Sequence, residues 1–416
     1  MSVPVGRARW GMVACVLLVA TVSYLDRNNL SIAASRIQSE FGISNVRLGV
    51  VFSAFILGYA LSQPFVGRLA DRIGAARSIA AALIWWSVFT SLVPAVPAGW
   101  AAASTALIIV RFMLGVGEAI IFPASNRLVA SWIPSHERGL ANGLIFAGVG
   151  IGGGIAPPLI TFIMLNHSWR WAFWVCAAIG LLVWVVWVSV VRDAPEEKAG
   201  VMVQQGHTPA TLVPPIPWRL AALDPQVLLL TASYFCYGYV AYIFFTWFFK
   251  YLSDVRSLDL KSSAFYATLP FVAMAAASSI GGLVSDRLLN RIGKRRARCG
   301  LAGVSLLVAA ALVWTATLVD EARLAAVVLA GGAGALYFAQ SIYWSLSADM
   351  GGRSAGLVSG IMNMGSQLGG VVVAAVTPII AQSLGWSASF AVAAGVAFVG
   401  AVAWAFIDPF HRLQGS

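Results

Sequence analysis

The stretch "VCAAIGLLVWVVWVSVV", residues 175–191, carries no charged side chain and a single serine. A half-buried strand would alternate apolar and polar residues, and an amphipathic helix would show a polar stripe; this segment is apolar on every side. Such a surface suits hydrocarbon. Lipid offers no partner to a free N–H or C=O, so only helices or closed barrels can cross it. A barrel would show alternating segments of about ten residues, which leaves a membrane-spanning helix.

The rest of the chain has the same character. Of 416 residues 59% are hydrophobic and only 10% are charged, and the mean hydropathy is +0.83, far from a soluble composition. Breaks at charged and Pro/Gly-rich points leave twelve apolar stretches near 10–32, 46–66, 77–96, 101–124, 138–163, 171–191, 225–250, 262–284, 299–318, 323–347, 354–382 and 384–407. Each is close to the ~20 residues that cross a ~30 Å hydrocarbon core as helix. The expected fold is an all-α membrane protein of twelve transmembrane helices.

Basic residues give the orientation. With the amino terminus inside, eighteen Lys and Arg fall in cytoplasmic segments and seven in external ones; this predicts both termini in the cytoplasm. The net charge of +11 then faces anionic lipid and calls for no nucleic-acid partner. Twenty-three of the basic residues are Arg and four are Lys, a bias that fits a GC-rich bacterial source, and the expected location is the bacterial inner membrane. Residues 1–35 have the basic start and apolar core of a secretion signal, but Asp26 and Arg27 interrupt them and eleven further spans follow. Cys15, Cys176, Cys236 and Cys299 are isolated from one another, so neither a disulfide framework nor a metal cluster is expected.

The chain divides at residues 192–224, its longest polar and Pro-rich interruption, read as a cytoplasmic linker between a six-helix bundle over 1–191 and another over 225–416. The halves echo each other. "GRLADRIGAAR" (67–77) follows the second span and "GGLVSDRLLNRIGKRR" (281–296) the eighth, with Asp71-Arg72 and Asp286-Arg287 in corresponding places. Parallel repeats of this kind are a transporter architecture, with the binding site at their interface near mid-membrane.

Those repeated loops resemble the signature of the major facilitator superfamily. Within it, "YLDRNNLSIA" (24–33), "RFMLGVGEAIIFPASNRLVASWIPSHERGLANG" (111–143) and "APPLITFIMLNHSWRWAF" (156–173) resemble the anion:cation symporter family, which includes bacterial proton-coupled importers of sugar acids and other organic anions. The resemblance implies proton sites at Asp26 and Glu118, Arg111 as the partner of the acids, and Arg27 as the substrate-binding arginine. It also implies substrate contacts from Tyr24 and Tyr59, and from Asn363 in "SGIMNMGSQLGG" (359–370). Gly67, Asp71, Arg72, Gly74 and Arg77 resemble the family's cytoplasmic latch, mirrored by Asp286 and Arg287.

The charges themselves lead the same way. Of sixteen acidic residues only Asp26 and Glu118 fall deep inside expected spans, and of twenty-seven basic ones only Arg27 and Arg111. Each costs roughly 2.5–3.5 kcal/mol at a helix centre on insertion scales and should face a polar interior. Such residues mark ion and proton pathways or, alternatively, lock helices together by ion pairs. Adjacent helical residues point ~100° apart, so Asp26 and Arg27 should look to different partners. One arrangement sets Asp26 near Arg111, with Arg27 facing the cavity. Arg presents a planar fork that matches a carboxylate, whereas Asp and Glu can change charge.

In the second half Tyr234, Tyr237, Tyr242, Gln340, Tyr343, Trp344, Asn363 and Gln367 can read hydroxyls or a second acid group, or simply pack. Sugar-acid members of the family often carry a Gln in the middle of span five. "NGLIFAGVGIGGGIAPPL" (142–159) offers only Gly and apolar residues there, which leaves room for a less polar or aromatic acid. No cofactor is expected: His136, His167, His207 and His411 lack ligand spacing, and the Gly-rich strings lack a nucleotide loop's strand, Lys and Ser/Thr. The chain is not expected to be an enzyme. It is read as a monomeric secondary transporter that imports an organic anion with protons; the alternative is a proton-coupled antiporter exporting small molecules, suggested by "GVGIGGGIAPP" (148–158).

Overall fold

The computed structural model describes residues 5–133, 138–192, 218–351 and 355–413, and helix is the only extended secondary structure among them. Twelve helices are long and apolar enough to cross a membrane: Arg9–Phe41, Asn45–Gln63, Ala75–Leu92, Ala103–Val129, Gly143–Asn166, Trp169–Val190, Pro225–Thr246, Leu260–Leu289, Arg295–Thr317, Ala322–Gly351, Leu357–Leu384 and Trp386–Phe406. These are spans 1 to 12 below. They overlap the twelve expected stretches, but some helices run well past the expected ends, among them the first to Phe41, nine residues beyond, the second to Ile73 and the eighth to Ile292. In the first, polarity suggested an earlier boundary. That extension is held because Ile37 is fully buried, Glu40 takes hydrogen bonds from Arg170 and Trp169, and the helix stops only at Gly42, where φ is +60°.

The spans form two six-helix bundles with matching internal contacts. In the first bundle span 1 packs on span 5, span 2 on span 4 and span 3 on span 6; in the second, 7 packs on 11, 8 on 10 and 9 on 12. The repeated loop is part of this symmetry. Gly74 (φ +91°) and Gly293 (φ +80°) both sit in the left-handed region that favours glycine, each turning the chain after the second helix of its bundle.

Small residues set the closest approaches. A Cβ on Gly58 would overlap the Phe112 carbonyl, and one on Gly115 the Phe55 carbonyl; this glycine pair lets spans 2 and 4 cross nearly backbone to backbone. Prolines inside spans free carbonyls, which find side-chain donors. Pro158 cannot donate to the Gly154 carbonyl four residues back, and Thr268 Oγ1 of span 8 shares its proton between that carbonyl at 3.1 Å and the Ala264 carbonyl of its own helix at 3.0 Å. Pro378 likewise frees the Ala374 carbonyl, which accepts from Trp247 Nε1 at 3.2 Å.

The bundles meet through spans 2 and 11 and spans 5 and 8. Among the described residues, their hydrogen bonds to each other cluster toward one end, the end carrying the loop after span 1. There Ser31 donates to the Thr246 carbonyl at 2.7 Å and Ser53 to the Val371 carbonyl at 2.9 Å. Ser35 donates to Asp254, which also pairs with Lys250. Asp254 lies in a short π-helical turn, Tyr251–Val255, beyond span 7.

Candidate functional site

Four charged side chains are gathered in the first bundle at mid-span. Asp26 (2% exposed), Arg27 (7%), Arg111 (2%) and Glu118 (0%) are buried together with Ser23 and Thr90. The helical bonding of span 4 is interrupted beside them: one helix ends at Glu118 and the next begins at Ile121. Pro123 helps to explain the break, since it leaves the Ala119 carbonyl without its helical donor.

Asp26 and Arg27 do turn to different partners. Arg27 Nε donates to Glu118 Oε2 at 2.8 Å, and Ser23 Oγ donates to the same oxygen at 2.9 Å. Thr90 Oγ1 of span 3 donates to Asp26 Oδ2. Arg111 is also a charged neighbour of Asp26, and Arg27 both pairs with Glu118 and lines a chamber; the expected arrangement did not include the Arg27–Glu118 bond. Asp26 lies toward span 3, and Arg27 reaches across to span 4. Arg111 Nε and Nη1 are buried without a hydrogen-bond partner, as are Arg27 Nη2, Asp26 Oδ1 and Glu118 Oε1.

Aromatic faces take up the remaining surface of the arginines. The Arg27 guanidinium lies 4.5 Å from the Tyr24 ring centroid, 4.6 Å from Tyr59 and 5.2 Å from Phe55; that of Arg111 lies 4.6 Å from Phe55. Electron-rich faces attract a cation most where water is excluded. Phe55, Thr90 and Ser23 are contributions the sequence did not announce. Ordinary apolar or hydroxyl residues gain meaning only from the helix rotation that points them at a charge.

Two small chambers adjoin the cluster. One, of about 20 Å³, is lined by Arg27, Arg111, Phe55 and Thr246 among others. The second, of about 60 Å³, is lined by Tyr59, Phe122, Phe146 and, from the second bundle, Tyr234, Tyr237, Gln340, Trp344, Asn363 and Gln367. Tyr24, Tyr242 and Phe245 line both. All the expected substrate contacts, Tyr24, Arg27, Tyr59, Tyr242, Gln340, Trp344 and Asn363, therefore stand around one interface. Tyr343 does not line either chamber; its hydroxyl is bonded to Ser233 and Trp404, so it packs span 10 on spans 7 and 12.

The repeated loops lie apart from these chambers. Arg77 is exposed, Asp286 pairs with Arg298 at 3.0 Å, and Arg287 is exposed. The side chains of Asp71 and Arg72 and the surroundings of Gly67 lie outside the described residues, as does most of the 192–224 segment. Two further buried cations, Lys250 and Arg298, were not expected, because both stand near helix ends where a charge reads as a loop residue. The cysteines are all unpaired.

A twelve-span, two-bundle membrane protein with paired charges at the bundle interface has the build of a transporter. Residues 16–374 match the Major Facilitator Superfamily, and the chain belongs to it. The chain is 32% identical to a probable sulfoacetate transporter of Cupriavidus necator, over 97% of this chain and 94% of that protein. It is 29% identical to a D-galactonate transporter of Escherichia coli, over 97% of both. Among solved structures, an inward-facing, occupied bacterial homolog of the human lysosomal transporter Spinster superposes with a TM-score of 0.77, over 98% of this chain and 97% of that one, at 18% identity. The chain is thus a multi-pass membrane transporter of small molecules, and not an enzyme.

Proposed function

We propose that the protein imports an organic anion, a carboxylate, by proton symport with alternating access. The observation that carries this reading is the Arg27–Glu118 ion pair at the wall of the interface chambers, because one group then serves both ligands. While Glu118 is ionised it occupies Arg27 Nε. A proton on Glu118 removes that competition, and Arg27, with Arg111 across the same chamber, is freed for the anion's acid group. Asp26, held by Thr90, is the second proton site. Similarity to transporters of sulfoacetate and D-galactonate supports an anionic substrate.

The contacts between bundles support a direction. With the termini in the cytoplasm, the joined end at Ser31, Ser35 and Ser53 is external and the state is inward-facing. Residues 1–191 and 225–416 rock as two bodies joined by the cytoplasmic segment 192–224. The repeated loops with Gly67, Asp71, Arg72, Gly74, Arg77, Asp286 and Arg287 latch the inner face in the opposite state. A bacterial inner membrane and a monomer complete the reading. One proton with a monoanion moves no net charge; a second would draw on the membrane potential at ~2.3 kcal/mol per charge per 100 mV.

The test is uptake of labelled carboxylates into proteoliposomes under an imposed proton gradient. Wild type should accumulate anion, Glu118→Gln should exchange but not accumulate it, and Arg27→Ala should not bind it. Gradient-driven accumulation that survives in Glu118→Gln would refute the coupling, and no uptake of any acid would refute the anion.

A further inference from the structure

We infer that Phe55 is a positioning residue for the anion: its one ring holds the guanidinium groups of both Arg27 and Arg111 by cation–π attraction and leaves N–H groups of each free to donate. This rests on the proposed anion transport and adds to it a residue that neither titrates nor donates a hydrogen bond.

A guanidinium can be held in two ways. A carboxylate takes its N–H groups in the plane of the fork, whereas an aromatic face attracts the charge and uses no donor. Arg27 is held in both ways, by Glu118 at Nε and by rings. Arg111 differs. Asp26 and Glu118 are its charged neighbours, yet its Nε and Nη1 are buried with no hydrogen-bond partner, and its guanidinium carbon lies over the Phe55 ring, 4.6 Å from the centroid. The same ring lies 5.2 Å from Arg27, whose Nη2 is likewise unbonded. Tyr24 and Tyr59 sit beside Arg27; among the described residues Phe55 is the ring that both arginines share.

The crossing of spans 2 and 4 puts the ring there. A Cβ on Gly115 would overlap the Phe55 carbonyl, so the glycine lets span 2 settle against span 4 one turn from Arg111. Phe55 is 3% exposed and lines the smaller chamber together with both arginines. Two like charges so close repel each other, and a proton on Glu118 would remove the carboxylate that offsets this repulsion. The ring carries no titratable group. It therefore holds both cations at the chamber wall through the arrival and departure of the proton.

The experiment replaces Phe55 with mono-, di- and trifluorophenylalanine, incorporated at this position alone, which weakens the negative face of the ring stepwise at nearly constant shape. Binding of D-galactonate, sulfoacetate and benzoate to the purified full-length protein is measured by calorimetry. The dissociation constant of each acid that binds should rise with every added fluorine, by about 2- to 30-fold across the series, the range of cation–π contacts. A ring that served only as packing would show no such trend. The same series at Phe173, buried beside Trp169, should be flat. A flat series at Phe55, or affinity that rises with fluorine, overturns the positioning role and leaves anion transport standing. Failure of all three acids to bind folded, monodisperse wild-type protein overturns both.

Discussion

Replacing Glu118 by Gln should uncouple anion affinity from pH, and the structure sets the size of the effect. The wild-type carboxylate holds Arg27 Nε at 2.8 Å in a site from which water is excluded. An anion that takes Arg27 must first displace this charge-assisted hydrogen bond, worth about 1.5–3 kcal/mol. A neutral amide of the same shape can still accept from Ser23 and Arg27 but presents no charge. The amide keeps a neutral bond of about 0.5–1.5 kcal/mol, so only the difference of about 1–1.5 kcal/mol is gained and anion affinity at neutral or alkaline pH should rise by about 5- to 13-fold.

The sign of the pH dependence follows from the same competition. On the proposed coupling, anion binding in wild type takes up a proton, so affinity should improve as pH falls, by up to about tenfold per pH unit for one linked proton. In Glu118→Gln the curve should be flat apart from any contribution of Asp26. The assay is calorimetric titration with one labelled acid across pH 5 to about 9, a range in which the family of curves separates by the linkage relation. An identical slope in wild type and variant, or weaker binding in the variant at every pH, would refute the role of the Arg27–Glu118 pair.

The external contacts give a second expectation. Burial works to raise the pKa of Asp254, but hydrogen bonds from Lys250, Ser253 and Ser35 outweigh it and hold the carboxyl below its usual value. A depressed pKa stabilises the joined state above the usual carboxylate range, and the gain is lost as pH falls through the lowered value. Asp254→Asn should loosen this end by no more than about 1 kcal/mol, as the pair is partly exposed; spin labels at Ser39 and Val255 should show more long distances. Thr268→Val should leave the Gly154 carbonyl unsatisfied at a cost of about 1–3 kcal/mol, seen as a similar loss of the joined population in the same distance measurement. Gly115→Ala should cost about 1–3 kcal/mol by overpacking against the Phe55 carbonyl and lower the melting temperature in detergent. Gly143→Ala, with nothing near its Cβ, should not.

The sequence was most readable where a single physical demand acts on one residue. Hydrocarbon requires apolar helix, and all twelve spans could be placed; a buried charge must be functional or paired, and Asp26, Arg27, Arg111 and Glu118 stood out by count alone. Pairing was not readable. That Arg27 meets Glu118 while also lining a chamber depends on the rotation of span 1 and the break in span 4, both set by distant packing such as the Gly58 and Gly115 crossing. Thr90 and Phe55 escaped for the same reason. Lys250 escaped because its burial comes from the opposite bundle, through Ser35, and no pattern along one helix records that.

What separates a coupling site from a structural clamp is the accounting of hydrogen bonds. Two cations and two acids in a helix-locking network would be expected to close every donor on an acceptor, because each charged group left unsatisfied in the interior costs more than an ordinary lost bond. Here five atoms of the four side chains are buried and unspent, three N–H-bearing nitrogens and two carboxylate oxygens. The nitrogens, Arg27 Nη2 with Arg111 Nε and Nη1, belong to two residues that line one chamber and suit the oxygens of an incoming acid group. The oxygens, Asp26 Oδ1 and Glu118 Oε1, are where protons can sit without breaking the Thr90 and Arg27 contacts on the other oxygen of each carboxyl. On the proposed coupling, a cluster incomplete in both its donors and its acceptors is filled by anion and proton together rather than by either alone.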